Sequence, residues 1–424
     1  MKRAPMFLAD LKPRLGSHSV EGSSNRCNDS TDGKVGLASR SARGVAPDFS
    51  GCAMMRLNLR GRMPPGLCFC FLGFLMSFES PLFAAPPGPP PRTGLWVTQR
   101  LPDSPEAFQE FESELRASRN LSGVCLHIPW NGIEKEVGKL DFSILDRTIA
   151  VFGATKTKYQ LCLHPGTFTP DFVYAEGAKP FEAQVRNPHR ANFGQAVKIP
   201  VPWDPIYQRY FSRFIQRLGE RYAKDPLCVS VVLTCANFMS AEMHLPKAPA
   251  DRLRWQALGD YRSLLLEVYK KFTDEWARAF PRQEVSLHLS KVLDLPTSFL
   301  EDIIDYGLSK YPERFSLQNC QLTGRKEDTG MMSYDLVMKY RDRAHHGFQS
   351  LAGLNRPDGR MGSPEMAALN ILHASGEYWE LWHGDGFSPE ISGEAAKAWQ
   401  EAKELGYEGY KKKLIAEDKY RQGR

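Results

Sequence analysis

From Gly94 onward the chain repeats one pattern eight times: a short apolar run, a polar turn, then a longer amphipathic stretch. A strand buried on both faces reads as nearly continuous hydrophobicity, and alternation with helices points to a parallel sheet covered by those helices. The apolar runs are Leu95–Gln99, Leu121–Pro129, Tyr159–His164, Cys228–Thr234, Val285–Leu289, Arg314–Cys320, Gly347–Leu351 and Tyr378–Leu381. Helical periodicity falls at Ser104–Ser118, after Asp141, and at Tyr207–Lys224, Arg252–Phe280, Ser298–Ser309, Tyr334–Ala344, Pro364–Ala374 and Gly393–Glu417. Ser104-Pro105 pairs a capping hydroxyl with a proline at the first helical position. Eight strands, each followed by a helix, predict an α/β fold: a single (β/α)8 TIM barrel over residues 93–424. Polar and aromatic residues crowd at the carboxyl ends of the strands, where such barrels build their sites.

The first part of the chain reads differently. Residues 1–53 are rich in Ser, Gly and Arg without an apolar period, which predicts a disordered or mis-assigned extension. Residues 54–85 follow the order of a signal peptide: a basic patch from Met54 to Arg62, the apolar run Leu67–Phe78, then small residues at Ala84-Ala85. That run is shorter than the roughly 20 residues a spanning helix needs, so no membrane span is expected in the mature protein. The expectation is export to the periplasm or exterior, with translation starting at Met54 or Met55 and a proline-rich linker at 86–92. Most of the formal charge of +6 also sits here, since residues 1–85 carry 11 Lys/Arg against 6 Asp/Glu and the rest is nearly balanced. A folded part without a basic field excludes nucleic acid as a partner. Oligomeric state is not legible.

The sequence holds nine cysteines. Cys125, Cys162, Cys228, Cys235 and Cys320 stand singly in apolar runs, as small buried hydrophobes do, and no CxxC spacing marks a metal site. His127, His164 and His288 lie on different strands and could converge inside a barrel. No HxH on the first strand and no acidic cluster accompanies them, so neither metal nor cofactor is expected. No phosphate loop, dinucleotide fingerprint or nucleophile elbow occurs.

Between Trp130 and Asp146 the chain reads WNGIEKEVGKLDFSILD. It gives a polar loop at the end of the second strand and then a helix capped by Asp141 or Ser143. Its Trp130, Ile133, Glu134, Gly138, Asp141, Phe142, Leu145 and Asp146 match a pattern of the retaining (β/α)8 glycoside hydrolases. The stretch resembles the family 42 β-galactosidase-like group in particular. The resemblance spans roughly Leu95 to Asp385 and includes Trp203-Asp-Pro-Ile-Tyr207, which opens the third helix. It implies an enzyme that hydrolyses O-glycosidic bonds of a poly- or oligosaccharide, and the signal segment implies that this enzyme is exported.

Glycoside hydrolysis takes two carboxylates, about 5–5.5 Å apart in retaining enzymes and about 6.5–9.5 Å apart in inverting ones. The resemblance places an acid/base Glu after an Asn at the end of strand four and a nucleophile Glu at the end of strand seven. Asn237 stands where the Asn belongs, but Phe238 follows it. Glu242, five residues past the Asn, becomes the acid/base candidate. Strand seven ends Gly347-Phe-Gln-Ser-Leu-Ala-Gly353 without a carboxylate, and Gln349 fills the nucleophile's place. The nearest replacement is Glu380 on strand eight, sharing a face with Tyr378 and Trp382. Glu377 and Asp385 stand in reserve. His127, Asn131, His164, Asn237, His244, Gln318, Asn319 and Gln349 offer donors and acceptors to sugar hydroxyls. Trp130, Trp203, Trp379 and Trp382 offer rings for stacking. The alternative is a carbohydrate-binding barrel that has lost the strand-seven nucleophile and no longer cleaves.

Overall fold

The computed structural model describes residues 91–188, 190, 192–354 and 359–421. The expected extension (1–53), the signal segment (54–85) and most of the linker (86–92) lie outside them. The eight apolar runs become eight strands: β1 (Gly94–Arg100), β2 (Leu121–Pro129), β3 (Lys158–His164), β4 (Cys228–Val232), β5 (Glu284–Leu289), β6 (Phe315–Leu322), β7 (His345–Ser350) and β8 (Tyr378–Leu381). They pair side by side in chain order and close into a barrel. β8 lies parallel to β1, with Trp96 opposite Glu380. Every residue of β4 and β5 is buried, because helices cover one face and the barrel interior fills the other.

The outer ring is α1 (Pro105–Ala117), α2 (Ser143–Thr155), α3 (Pro205–Tyr222), α4 (Tyr261–Ala279), α5 (Thr297–Lys310), α6 (Met332–Tyr340), α7 (Pro364–His373) and α8 (Pro389–Ala416). Four of them start with the same device. Ser104, Asp204, Ser363 and Ser388 each precede a proline and accept a first-turn amide on the side chain. No helix among the described residues is long and apolar enough to cross a membrane.

Three details depart from the sequence expectation. The long connection after β3 carries an antiparallel hairpin, Pro180–Gln184 against Ala196–Pro200. The helix expected from Arg252 to Phe280 is broken into Pro249–Ala257 and α4, because Gly259 takes a φ of +115° and Asp260 caps the second piece. α8 kinks at Gly406, whose φ is +67°.

The amino end of the barrel is plugged by Arg92, expected in the linker but 1 % exposed. Its guanidinium reaches Glu284 at 3.2 Å, Gln160 at 3.0 Å, Gln318 at 3.2 Å and Ser286 at 2.8 Å. It also lies 3.9 Å from the centre of the Tyr378 ring. The Tyr378 hydroxyl donates to the same Gln318 oxygen at 2.8 Å. Gln318, expected to contact sugar, is therefore committed to this plug at the closed end. A planar fork with five donors explains why arginine occupies a point where several strands converge.

Candidate active site

The window that carries the family pattern turns out to be architectural. Trp130 is fully buried, its ring packed on Phe211 and Phe214 with centroids 5.2 and 5.6 Å away. Its indole N–H donates to Glu134 at 3.1 Å, and the Gly138 amide donates to the other oxygen at 2.9 Å. Glu134 is itself 0 % exposed and is neutralised by Arg213 of α3. Asp146 is clamped by Arg221 and accepts from the Tyr222 hydroxyl, both at the far end of α3. Asp141 accepts the Ser143 amide at 3.0 Å, an Asx turn that starts α2. The pattern thus fixes the β2–α2 loop to α3. Trp130 is fully buried among aromatic rings and leaves no open face for stacking on a ligand.

Gly138 adopts a φ of +74° with nothing within 4 Å of where a Cβ would stand. Gly138→Ala therefore meets no clash and costs only the left-handed conformation, about 1–2 kcal/mol. Urea unfolding of the variant measures it. A change near zero would mean the loop relaxes out of that conformation.

Glu380, fully buried, points into the barrel from β8. Its Oε1 accepts from Thr98 Oγ1 at 2.9 Å and from Gln349 Nε2 at 2.7 Å. Oε2 is buried and has no hydrogen-bond partner. Burial lifts the carboxyl above its ordinary range, while Arg92, Thr98, Gln349 and Cys125 pull it back. Gln349 Nε2 therefore grips the Glu380 carboxylate. Thr98, on the adjacent strand, was not signalled by the sequence, since a threonine in an apolar run looks like any β-branched strand residue.

Past β4 the chain is shaped by Asn237. Its Oδ1 accepts the Cys235 amide and its Nδ2 donates to the carbonyls of Ala241 and Glu242, each at 2.8 Å. Both amide hydrogens are spent, so Asn237, expected to contact sugar, is the fastener of the loop carrying Glu242. The connection after β3 backs this loop. Gly166, at a φ of +66°, lies so close to the carbonyl oxygens of Asn237 and Phe238 that a Cβ would collide with them. The Thr167 amide donates to Phe238 O at 3.0 Å. Glu242 is half-buried. His244 beside it bonds Ser290 Oγ at 2.9 Å, and burial holds its imidazole below the ordinary value against the pull of Glu242.

Two buried thiols report on both carboxylates. Burial raises Cys320 first, then Glu242 and Glu380 raise it further. Cys162 is raised by burial and by the same two glutamates. Glu242 follows β4 and Glu380 stands on β8, on opposite sides of the ring.

His127 and His164 stand next to this interior, His127 Nδ1 2.8 Å from His164 Nε2. Burial pushes His127 down to about 4 and holds His164 well below its usual value. A pair sharing one proton between facing nitrogens keeps at least one ring neutral.

Among the aromatic candidates, Trp382 is the one left open, 41 % exposed, with its N–H fixed on Ser350 O at 2.8 Å. Trp203 is half-buried and leans on Trp255 at 5.7 Å. Trp379 is fully buried and bonded to Ser350 Oγ at 2.9 Å. Asn319 is fully buried; its Oδ1 takes the Gln321 amide at 2.6 Å, while its Nδ2 has no hydrogen-bond partner. Asn131 opens onto a separate surface cleft of about 340 Å³, shared with Lys135, Thr167, Thr169, Asp171 and Lys198. Neither Glu242 nor Glu380 lines that cleft. Asp385 is buried and accepts the Leu354 amide at 2.7 Å, and Glu377 pairs with His345 at 2.8 Å near the amino end.

No curated protein matches the chain. Among solved structures it is similar to a β-galactosidase from the psychrophilic Marinomonas ef1, with a TM-score of 0.49 and 14 % identity over 74 % of this chain and 60 % of that one. A β-galactosidase from the Antarctic haloarchaeon Halorubrum lacusprofundi gives a TM-score of 0.47 and 15 % identity over 73 % of this chain and 58 % of that one. The catalytic domain of a β-amylase from Paenibacillus polymyxa gives 0.48 and 8 % over 72 % of this chain and 97 % of that one. The chain spans about 60 % of the length of the two β-galactosidases it matches. Over residues 112–247 it matches the model of glycoside hydrolase family 42, described as β-galactosidase, and it is this family that the chain is similar to.

Proposed function

We propose that this chain is an exported glycosidase that cleaves O-glycosidic bonds of a poly- or oligosaccharide, with Glu242 and Glu380 as its carboxylate pair. The placement of Glu380 on β8 against Thr98 and Gln349, and of Glu242 on the loop that Asn237 fastens past β4, carries the reading. Glu242 comes from a pinned loop and is half-buried, so it can exchange a proton with solvent. It fits the member that protonates the leaving oxygen. Glu380 is immobilised by Thr98 and Gln349 beneath it. Burial destabilises its anion in the free protein, and a cationic, oxocarbenium-like transition state would offset that cost. Trp382, exposed and held by Ser350, offers a flat apolar face to a sugar ring. The family match over residues 112–247 is consistent with this class of substrate.

A second reading is a barrel that binds saccharide without cleaving it. It is favoured by the full burial of Glu380 and by the amide of Gln349 on the strand where the resembled family keeps its nucleophile. Incubation with a panel of oligosaccharides and aryl glycosides separates the two. Release of reducing ends or of the aryl group supports the glycosidase, whereas calorimetric binding without release supports the binder. Export is tested by mass spectrometry of the native protein, which should begin near Ala85; a peptide containing Met1 would overturn it.

A further inference from the structure

Cys125 Sγ, Cys162 Sγ and a ring nitrogen of His127 lie within 4.8 Å of one another inside the barrel. They come from two adjacent strands, β2 and β3, where His127 stands opposite Cys162 in the register. Cys125 and Cys162 are fully buried. From the geometry we infer that these three side chains form a site for a single thiophilic divalent cation of the zinc class.

Tetrahedral zinc takes thiolate sulfur at about 2.3 Å and imidazole nitrogen at about 2.0–2.1 Å, which puts its donors about 3.5–3.8 Å apart. Closing a 4.8 Å triangle to that size moves each side chain by less than the length of a bond. Two thiols and an imidazole are a soft donor set, unlike the oxygen cages that hold calcium or magnesium. The surroundings also match what such a site needs. A ligating imidazole normally hands its second nitrogen to an outer partner, which sets the tautomer. His127 does so: Nδ1 lies 2.8 Å from His164 Nε2, while Nε2 is buried with no hydrogen-bond partner. His164 Nε2 is also 3.4 Å from Cys162 Sγ. His288 on β5 is 1 % exposed and likewise keeps an Nε2 without a partner. Buried imidazole nitrogens without partners, as at His127 and His288, are costly unless something takes them up.

Binding exchanges two protons for one cation: each thiol releases its proton to solvent and the two sulfur lone pairs form the metal bonds. The inference does not depend on the glycosidase reading, since a binding barrel would hold the ion equally well.

The test uses the full chain, stripped with a chelator and titrated with Zn²⁺ or Co²⁺. One equivalent should bind, cobalt should give a thiolate-to-metal charge-transfer band, and X-ray absorption of the zinc form should show two sulfurs at about 2.3 Å with nitrogen in the same shell. His164→Asn should weaken binding about 10–100-fold, because it removes only the outer partner. The double variant Cys125→Ser, Cys162→Ser should lose the band, and Cys228→Ser should keep it. A shell without sulfur, a shell of four sulfurs, or a band that survives in the double serine variant would overturn the assignment. If that variant does not fold, absorption spectroscopy of the unaltered chain still decides.

Discussion

Replacing Glu380 with Gln is expected to cut glycoside turnover by about a hundred- to ten-thousand-fold, the range for losing a positioned acid or base. The change is nearly isosteric. A glutamine oxygen still accepts from Thr98 Oγ1 and Gln349 Nε2, which now bond Oε1 at 2.9 and 2.7 Å. The thermal midpoint should therefore move little while kcat collapses. Glu242→Gln should behave alike, and Trp382→Ala should raise KM more than it lowers kcat, because an exposed ring binds without taking part in proton transfer. Unchanged kcat in both glutamine variants would remove these residues from the chemistry.

The largest effect on stability is expected at Arg92. Arg92→Met strands Glu284, whose Oε2 now takes the Arg92 N–H at 3.2 Å and whose Oε1 is already buried without a partner. Breaking a buried ion pair on one side costs about 3–5 kcal/mol, because the remaining charge has lost its compensation. Gln160, Ser286 and Gln318 lose a donor in the same step. Adding Glu284→Gln should recover part of the loss, since it removes the orphaned charge. Denaturant unfolding of the single and double variants measures both figures. A single variant within 1 kcal/mol of the unaltered chain would mean that water reaches Glu284.

How much of this was legible in advance depended on whether the determinant was local. The strands were readable because burial on both faces writes a continuous apolar run, as in Cys228–Val232. Helix starts at Ser104 and Asp204 were readable because cap and proline are neighbours in sequence. The hairpin after β3 was not, since Pro180–Gln184 is short and buries only alternate residues. Gly259 did signal the break in the expected long helix, but the apolar period running through it on both sides hid the signal.

The site shows the same division. Glu380 and Trp382 became candidates because alternation along a strand assigns them a face. Arg92 was assigned to the linker because its partners are 68 to 226 residues away. Glu134 was noticed as part of a pattern, but its role came only with Arg213, 79 residues on. Asn237 and Gln349 were expected to meet sugar, whereas the structure commits Asn237 Nδ2 to two loop carbonyls and Gln349 Nε2 to Thr98 and Glu380. A sequence shows which amides are available, not which have spent their hydrogens on the loop or the glutamate beside them. The cysteines, dismissed for lack of CxxC spacing, come together across the register of two parallel strands, which leaves no local motif.

The account turns on whether a saccharide is held at the carboxyl end of the barrel between Glu242, Glu380 and Trp382. A crystal structure of Glu380→Gln soaked with an oligosaccharide tests this most directly. The account predicts a sugar ring against Trp382 and a glycosidic oxygen within hydrogen-bond reach of Glu242. A saccharide lodged instead in the cleft of Asn131, Lys135 and Lys198, with the barrel end bare, would contradict it.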